Sequence, residues 1–241
     1  MIPNLRGAER AIEAGVDEFN LVMSASETHN LSNLHMTREQ SFKQITLICL
    51  LAAKANIPVN VSLSCAFGCP MEGDIEAGEI VSWVRRFADL DVAGVSLCDT
   101  TGMAFPTQVS ALFTQCMREE TKTCFTAHFH NTRGMGLTNV LAAIDAGVRS
   151  FDTSLGGIGG CPYAPGATGN VSTEDVVHLL DCMGYVTGLE VESLVKVSTW
   201  LSPLLEYGVH SHVKKAGPRW KKHAVPDNFE ETRSRALARG E

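Results

Sequence analysis

The sequence has no apolar run long enough to span a bilayer. Its first residues, Met-Ile-Pro-Asn-Leu-Arg, lack the apolar core of a secretory signal. It has no surplus of basic charge: 20 Lys and Arg stand against 27 Asp and Glu, a net charge of −7, which argues against nucleic acid as a partner. No glycine-rich phosphate loop follows the first strand-like run, so an open dinucleotide-binding sheet is disfavoured. No Ser/His/Asp arrangement is at hand to support hydrolysis. Cys65-Ala-Phe-Gly-Cys69 has no second pair at zinc-finger spacing, so structural zinc is not expected. The eight cysteines are spread through helix- and strand-like segments. That pattern fits reduced thiols in a cytoplasmic compartment, with an organelle matrix also open, better than a disulfide framework.

What is present, in 241 residues that are 44% apolar and 20% charged, is a regular alternation of short apolar runs with longer amphipathic ones. The chain begins as if inside a helix, Ala8 to Ala14, stopped by Gly15. Strand-like runs follow at 17–23, 58–64, 93–98, 124–130 and 149–154. Helical runs lie at 37–55, 75–90, 106 onward, 137–146, 173–183 and 191–207, and residues 24–36 read as a polar loop. Thr37 with Gln40 forms a capping-box pattern, and Pro106 suits a first helical turn. Strands alternating with helices imply βαβ units and a parallel sheet. The fold class is α/β, of the TIM (β/α)8 type. Only five of eight βα units are legible, so about three are missing from the front and two strand edges are left unpaired. Residues 1–217 form the partial barrel. Residues 218–241, charged and poor in large apolar groups, form a solvated tail or frayed helix.

Candidate chemistry gathers where strands end, as it does in such barrels. His128 and His130 are separated by one residue on a strand, so both imidazoles share a face and can meet one cation, or one can be a core histidine. The stretch from Ser154 to Asn170 holds six glycines, two prolines and one cysteine, the composition of a lid. Cys161 sits near its middle, where an accessible thiol suits acid–base work. Asn170 closes the loop with a hard amide oxygen suited to Mg²⁺ or Mn²⁺, or with a helix cap. Asp99 follows the third strand, as a proton carrier, a carboxylate orienting a histidine, or an Asx turn. Glu72 reads as no more than a loop charge. Lys214, Lys215, Arg219, Lys221 and Lys222 form a basic cluster that reads mainly as a solvated tail, with the phosphates of a nucleotide-like ligand as the alternative.

Four segments then resemble one family: Ser64-Cys-Ala-Phe-Gly-Cys-Pro-Met-Glu-Gly73, Gly94-Val-Ser-Leu-Cys-Asp-Thr-Thr-Gly102, Ala127-His-Phe-His-Asn131, and the glycine-rich run Gly157 to Val171. They resemble the hydroxymethylglutaryl-CoA lyase family, part of the metal-dependent TIM-barrel lyases and acyl synthases, from about Pro3 to Gly217. The resemblance implies that His128, His130 and Asn170 ligate a divalent cation, Mg²⁺ or Mn²⁺. It implies that Cys161 is a lid cysteine serving proton transfer, and that Asp99 and His128 are acid–base partners near the substrate hydroxyl. It places Asn33 and Thr37 in an acyl-CoA contact region, and Ser64 beside the substrate. The reaction it implies is retro-Claisen cleavage of 3-hydroxy-3-methylglutaryl-CoA to acetyl-CoA and acetoacetate, in a homo-oligomer, typically a dimer, with no membrane or nucleic-acid partner.

Two departures stand beside the resemblance. The family's Arg-Asp pair, from its first barrel strand, has no counterpart here, so metal binding and turnover by this chain alone are expected to be weak. Cys98 stands where the family carries glycine. A Claisen-type synthase on the same metal site, and a non-catalytic remnant kept for oligomer contacts, are the alternatives.

Overall fold

A computed structural model describes residues 2, 4–160, 166, 168–205 and 208–239. Five parallel strands form one sheet in sequence order: β1 (Phe19–Ser24), β2 (Val59–Ser64), β3 (Gly94–Asp99), β4 (Cys124–Phe129) and β5 (Ser150–Asp152). Each connection carries helix: α2 (Glu27–Leu34) and α3 (Arg38–Lys54), then α4 (Ala77–Ala88), α5 (Pro106–Glu119) and α6 (Gly136–Asp145). Consecutive parallel neighbours joined through helices are the units of a (β/α) barrel, and the sheet is an incomplete one. The chain does not start inside a helix. Ile2 bridges Leu21 in parallel beside β1, and α1 (Leu5–Glu13) then begins at Asn4, whose side chain caps Gly7 N–H.

Alternation along the strands separates two faces. Phe19, Leu21, Met23, Val61, Leu63, Val95, Leu97, Ala127 and Phe129 are almost fully buried and pack as one core with Ile48, Ile80, Phe87, Phe113 and Val140 from the helices. Burying a side chain of this size is worth about 1.5–3 kcal/mol, so this face anchors the sheet. The opposite, inner face is polar. Asn60 Nδ2 donates to Ser96 Oγ at 2.9 Å, and Ser62 Oγ donates to Asn20 Oδ1 at 2.9 Å. Outside the core, Arg86 clamps α3 to α4 by lying 4.0 Å from the Phe42 ring centroid and 4.2 Å from that of Trp83 while pairing with Glu39 at 2.7 Å.

The segment 24–36 is not a loop. Ser26 caps α2, and buried Asn30 holds that helix down: its Oδ1 accepts from Ser24 N–H, and its Nδ2 donates to Met36 O and Ser41 Oγ. Glu72 accepts the Thr28 N–H at 2.6 Å, at the positive end of the same helix, and so is more than a loose charge. After β5 come α7 (Thr173–Cys182), α8 (Val191–Leu201), shorter than the sequence pattern suggests, α9 (His212–Ala216) and α10 (Phe229–Ala238). Pro218 is buried and residues 219–239 are exposed throughout. The Arg219 N–H donates to His178 Nε2, and Trp220 Nε1 donates to Glu192 Oε1.

Candidate active site

The inner face opens at the C-terminal ends of the strands into a cleft of about 690 Å³. Asn20, Val22, Ser62, Ser64, Cys98 and His128 line it from the strands, all in the same alternation phase. His29 and Asn33 line it from α2. Gly159, Gly160 and Asn170 close one side.

His128 sits near the end of β4, in register with Cys98 on β3 and Asp152 on β5. Its Nδ1 lies 3.7 Å from Asp152 Oδ2. His130 follows just beyond the strand, its ring centroid 5.3 Å from that of His128. The returning segment is zipped onto this strand end: Asn131 N–H donates to Gly169 O and Val171 N–H to Phe129 O, each at 3.0 Å, so that His130 and Asn170 face each other across a bridge. Asn170 is oriented by its own amide, whose Nδ2 donates to Ile158 O at 2.8 Å. Glycine is required for this seating. Gly169 has φ +113°, and a Cβ there would lie 2.1 Å from Gly157 O.

Two buried atoms in this cluster lack hydrogen-bond partners, His130 Nδ1 and Asn170 Oδ1. Such atoms are costly unless something else satisfies them. Burial, reinforced by His128, pushes the His130 pKa down to about 4, so its imidazole is neutral and free to ligate. A neutral imidazole beside an open amide oxygen, with a second imidazole adjacent, fits a divalent cation. Among the described residues no cluster of three His, Cys, Asp or Glu forms a metal site, so an amide must be counted to complete a triad.

The other candidates divide. Ser64 and Asn33 line the cleft. Thr37 does not: its Oγ1 accepts from Gln40 N–H and its N–H donates to Gln40 Oε1, so it is spent on capping α3. Asp99 is also absent from the lining, one residue out of phase with Cys98. Its Oδ1 accepts the Met103 and Ala104 N–H groups at 2.7 and 3.0 Å. Burial is the main cause that raises its carboxyl pKa to about 7. Through Oδ1 it orders the turn that carries Thr100 into the cleft, while its Oδ2 is buried without a hydrogen-bond partner. Cys161 lies outside the described residues. Sequence reasoning missed His29, Thr100, Cys98 and Asp152 as cleft residues. The polar period-two pattern Asn20, Ser62, Ser64 within apolar strands was the available signal for this face; His29 had none once its helix was read as loop.

The profile of the HMGL-like family matches residues 1–201. An (R)-citramalyl-CoA lyase of Chloroflexus aurantiacus is 39% identical over 90% of this chain and 69% of its own length. A hydroxymethylglutaryl-CoA lyase of Pseudomonas mevalonii is 38% identical over 85% of this chain and 68% of its own. The solved structure of an HMG-CoA lyase of Acinetobacter baumannii, in complex with coenzyme A and 3-methylmalate, superposes with a TM-score of 0.87 at 44% identity over 93% of this chain and 73% of that one. No described helix is long and apolar enough to cross a membrane. With its parallel sheet, its histidine-bearing strand end and this pattern of matches, the chain belongs to the HMGL-like family of carbon–carbon lyases.

Proposed function

We propose that the cleft is the metal-and-acyl half of a lyase site that cleaves 3-hydroxy-3-methylglutaryl-CoA, or a close 3-hydroxy-3-methyl homologue, to acetyl-CoA and a keto acid. His128, His130 and Asn170 are the residues that would hold Mg²⁺ or Mn²⁺. When bound, the cation supplies Lewis-acid stabilisation of the alkoxide character that develops before the carbon–carbon bond breaks. The observation that carries the reading is the pair of open buried atoms, His130 Nδ1 and Asn170 Oδ1, brought together by the bridge between their backbones.

The chain's own groups supply the rest. Burial keeps His130 uncharged, so it does not repel a cation. Asp152 Oδ2, 3.7 Å from His128 Nδ1, is the carboxylate beside that imidazole that can take up the substrate's hydroxyl proton. Ser64 presents its hydroxyl along the cleft wall for an acyl oxygen. Cys161, next after the cleft-lining Gly160, is placed in chain order to protonate the acetyl-CoA enolate. A homodimer with an acyl-CoA substrate completes the proposal. The citramalyl-CoA lyase relative favours a second reading, in which the acid is one methylene shorter.

Calorimetric titration of Mn²⁺ tests the site. His130→Ala and Asn170→Ala are each expected to weaken binding about tenfold or more, with unchanged circular dichroism. A coupled acetoacetate assay with 3-hydroxy-3-methylglutaryl-CoA tests the reaction. Equal Mn²⁺ affinity in wild type and both variants refutes the assignment.

A further inference from the structure

We propose that Cys98 sets the length of acid this cleft accepts, favouring the acyl-CoA whose carboxylate sits directly on the carbinol carbon over the homologue with one more methylene. This rests on the lyase reading above and names its substrate class.

The inner face of β3 rises through Gly94, Ser96 and Cys98, and Cys98 is its last cleft-facing residue before the turn. It is only 6% exposed and stands in register with His128. The other register neighbour of His128 is Asp152, a carboxylate. A substrate held at His128 by its hydroxyl must point its own free carboxylate away from Asp152, because like charges repel at this range. That direction is toward Cys98. There the space is already taken by a methylene and a sulfur, with Sγ 3.5 Å from Ser96 O. Burial drives the thiol pKa well above its ordinary value, so the group is neutral and acts through its bulk. On the wall beyond it Ser62 has spent its hydroxyl proton on Asn20 Oδ1, while Ser64 lines the cleft with a hydroxyl that can donate to a carboxylate that stops short of the thiol. An extra methylene pushes that carboxylate onto the sulfur and away from that donor.

The test is a saturation-transfer NMR competition between citramalate and 3-hydroxy-3-methylglutarate, which differ by one methylene, on the chain with Mg²⁺ and coenzyme A. Wild type is expected to favour citramalate. Cys98→Gly, and Cys98→Ala where the glycine variant does not fold, are expected to shift the ratio toward the longer acid by about tenfold or more, within the roughly 10–200-fold that one methylene is worth. Cys98→Val is expected to weaken both acids, the longer one more. A wild-type preference for the longer acid, or a ratio that stays within about threefold of wild type in the smaller variants, overturns the proposal. If neither acid binds wild type or any variant, the lyase reading itself fails and takes this inference with it.

Discussion

Gly169→Ala is the most demanding single test of how Asn170 is seated. At φ +113° an L side chain is strained, and its Cβ would sit 2.1 Å from Gly157 O and 2.9 Å from Gly159 O. Both obstacles are backbone, so neither can rotate aside. Restoring ordinary contact requires the 169–171 segment to withdraw by roughly 1 Å or more. That breaks the bonds from Asn131 N–H to Gly169 O and from Val171 N–H to Phe129 O, both 3.0 Å long. Two such bonds at about 0.5–1.5 kcal/mol each, with about 1–2 kcal/mol of left-handed strain, give a loss of about 2–5 kcal/mol. Gly184→Ala is the control, since Gly184 has φ +82° but open space where its Cβ would go, leaving strain alone at about 1–2 kcal/mol. Urea denaturation of both variants measures the difference, and Mn²⁺ titration reads whether Asn170 has moved away from His130. If Gly169→Ala is no less stable than Gly184→Ala and binds Mn²⁺ like wild type, the zipped geometry of Asn170 is wrong.

Asp99 offers a pH test. Its carboxyl is raised from 3.8 to about 7, chiefly by burial, so the folded state holds a proton that the unfolded state has released. Stability is therefore expected to fall as pH rises from about 4 to 7 and to level off above that. Asp99→Asn, which retains an acceptor for the Met103 and Ala104 N–H groups, is expected to flatten that slope and gain most above pH 7; an unchanged slope in thermal melts across this range contradicts the assignment. Glu174 is fully buried, and its Oε2 accepts from Gly156 N–H at 2.8 Å and Ser172 Oγ at 2.9 Å, tying the base of the glycine loop to α7. Glu174→Ala is expected to cost about 1–3 kcal/mol for the donors it strands, with faster exchange of the Gly156 amide; a stability within 0.5 kcal/mol of wild type, roughly the scatter of neutral surface changes, counts against that role.

The sequence by itself determined the sheet and the direction of its chemistry. Apolar residues at alternate strand positions, helices between them, the Thr37–Gln40 cap and the His128–His130 spacing are all local patterns, because strand and helix periods are properties of a few consecutive residues. Even the match between His-x-His and one face needs only the two-residue repeat. What lay beyond it depends on residues distant in the chain. The helix Glu27–Leu34 has a weak apolar stripe and stands because Asn30 reaches Ser24 and Ser41 and Glu72 reaches its first turn, so no local pattern announces it, and His29 came into the cleft unannounced with it. Thr37 and Asp99 carry the right side chains for a site, but tertiary packing spends Thr37 Oγ1 on a helix cap and Asp99 Oδ1 on a turn. The pairing of His130 with Asn170, forty residues on, was settled only when the chain folded back through Gly169, since a hydrogen-bonded bridge between remote backbones is a fact of three dimensions.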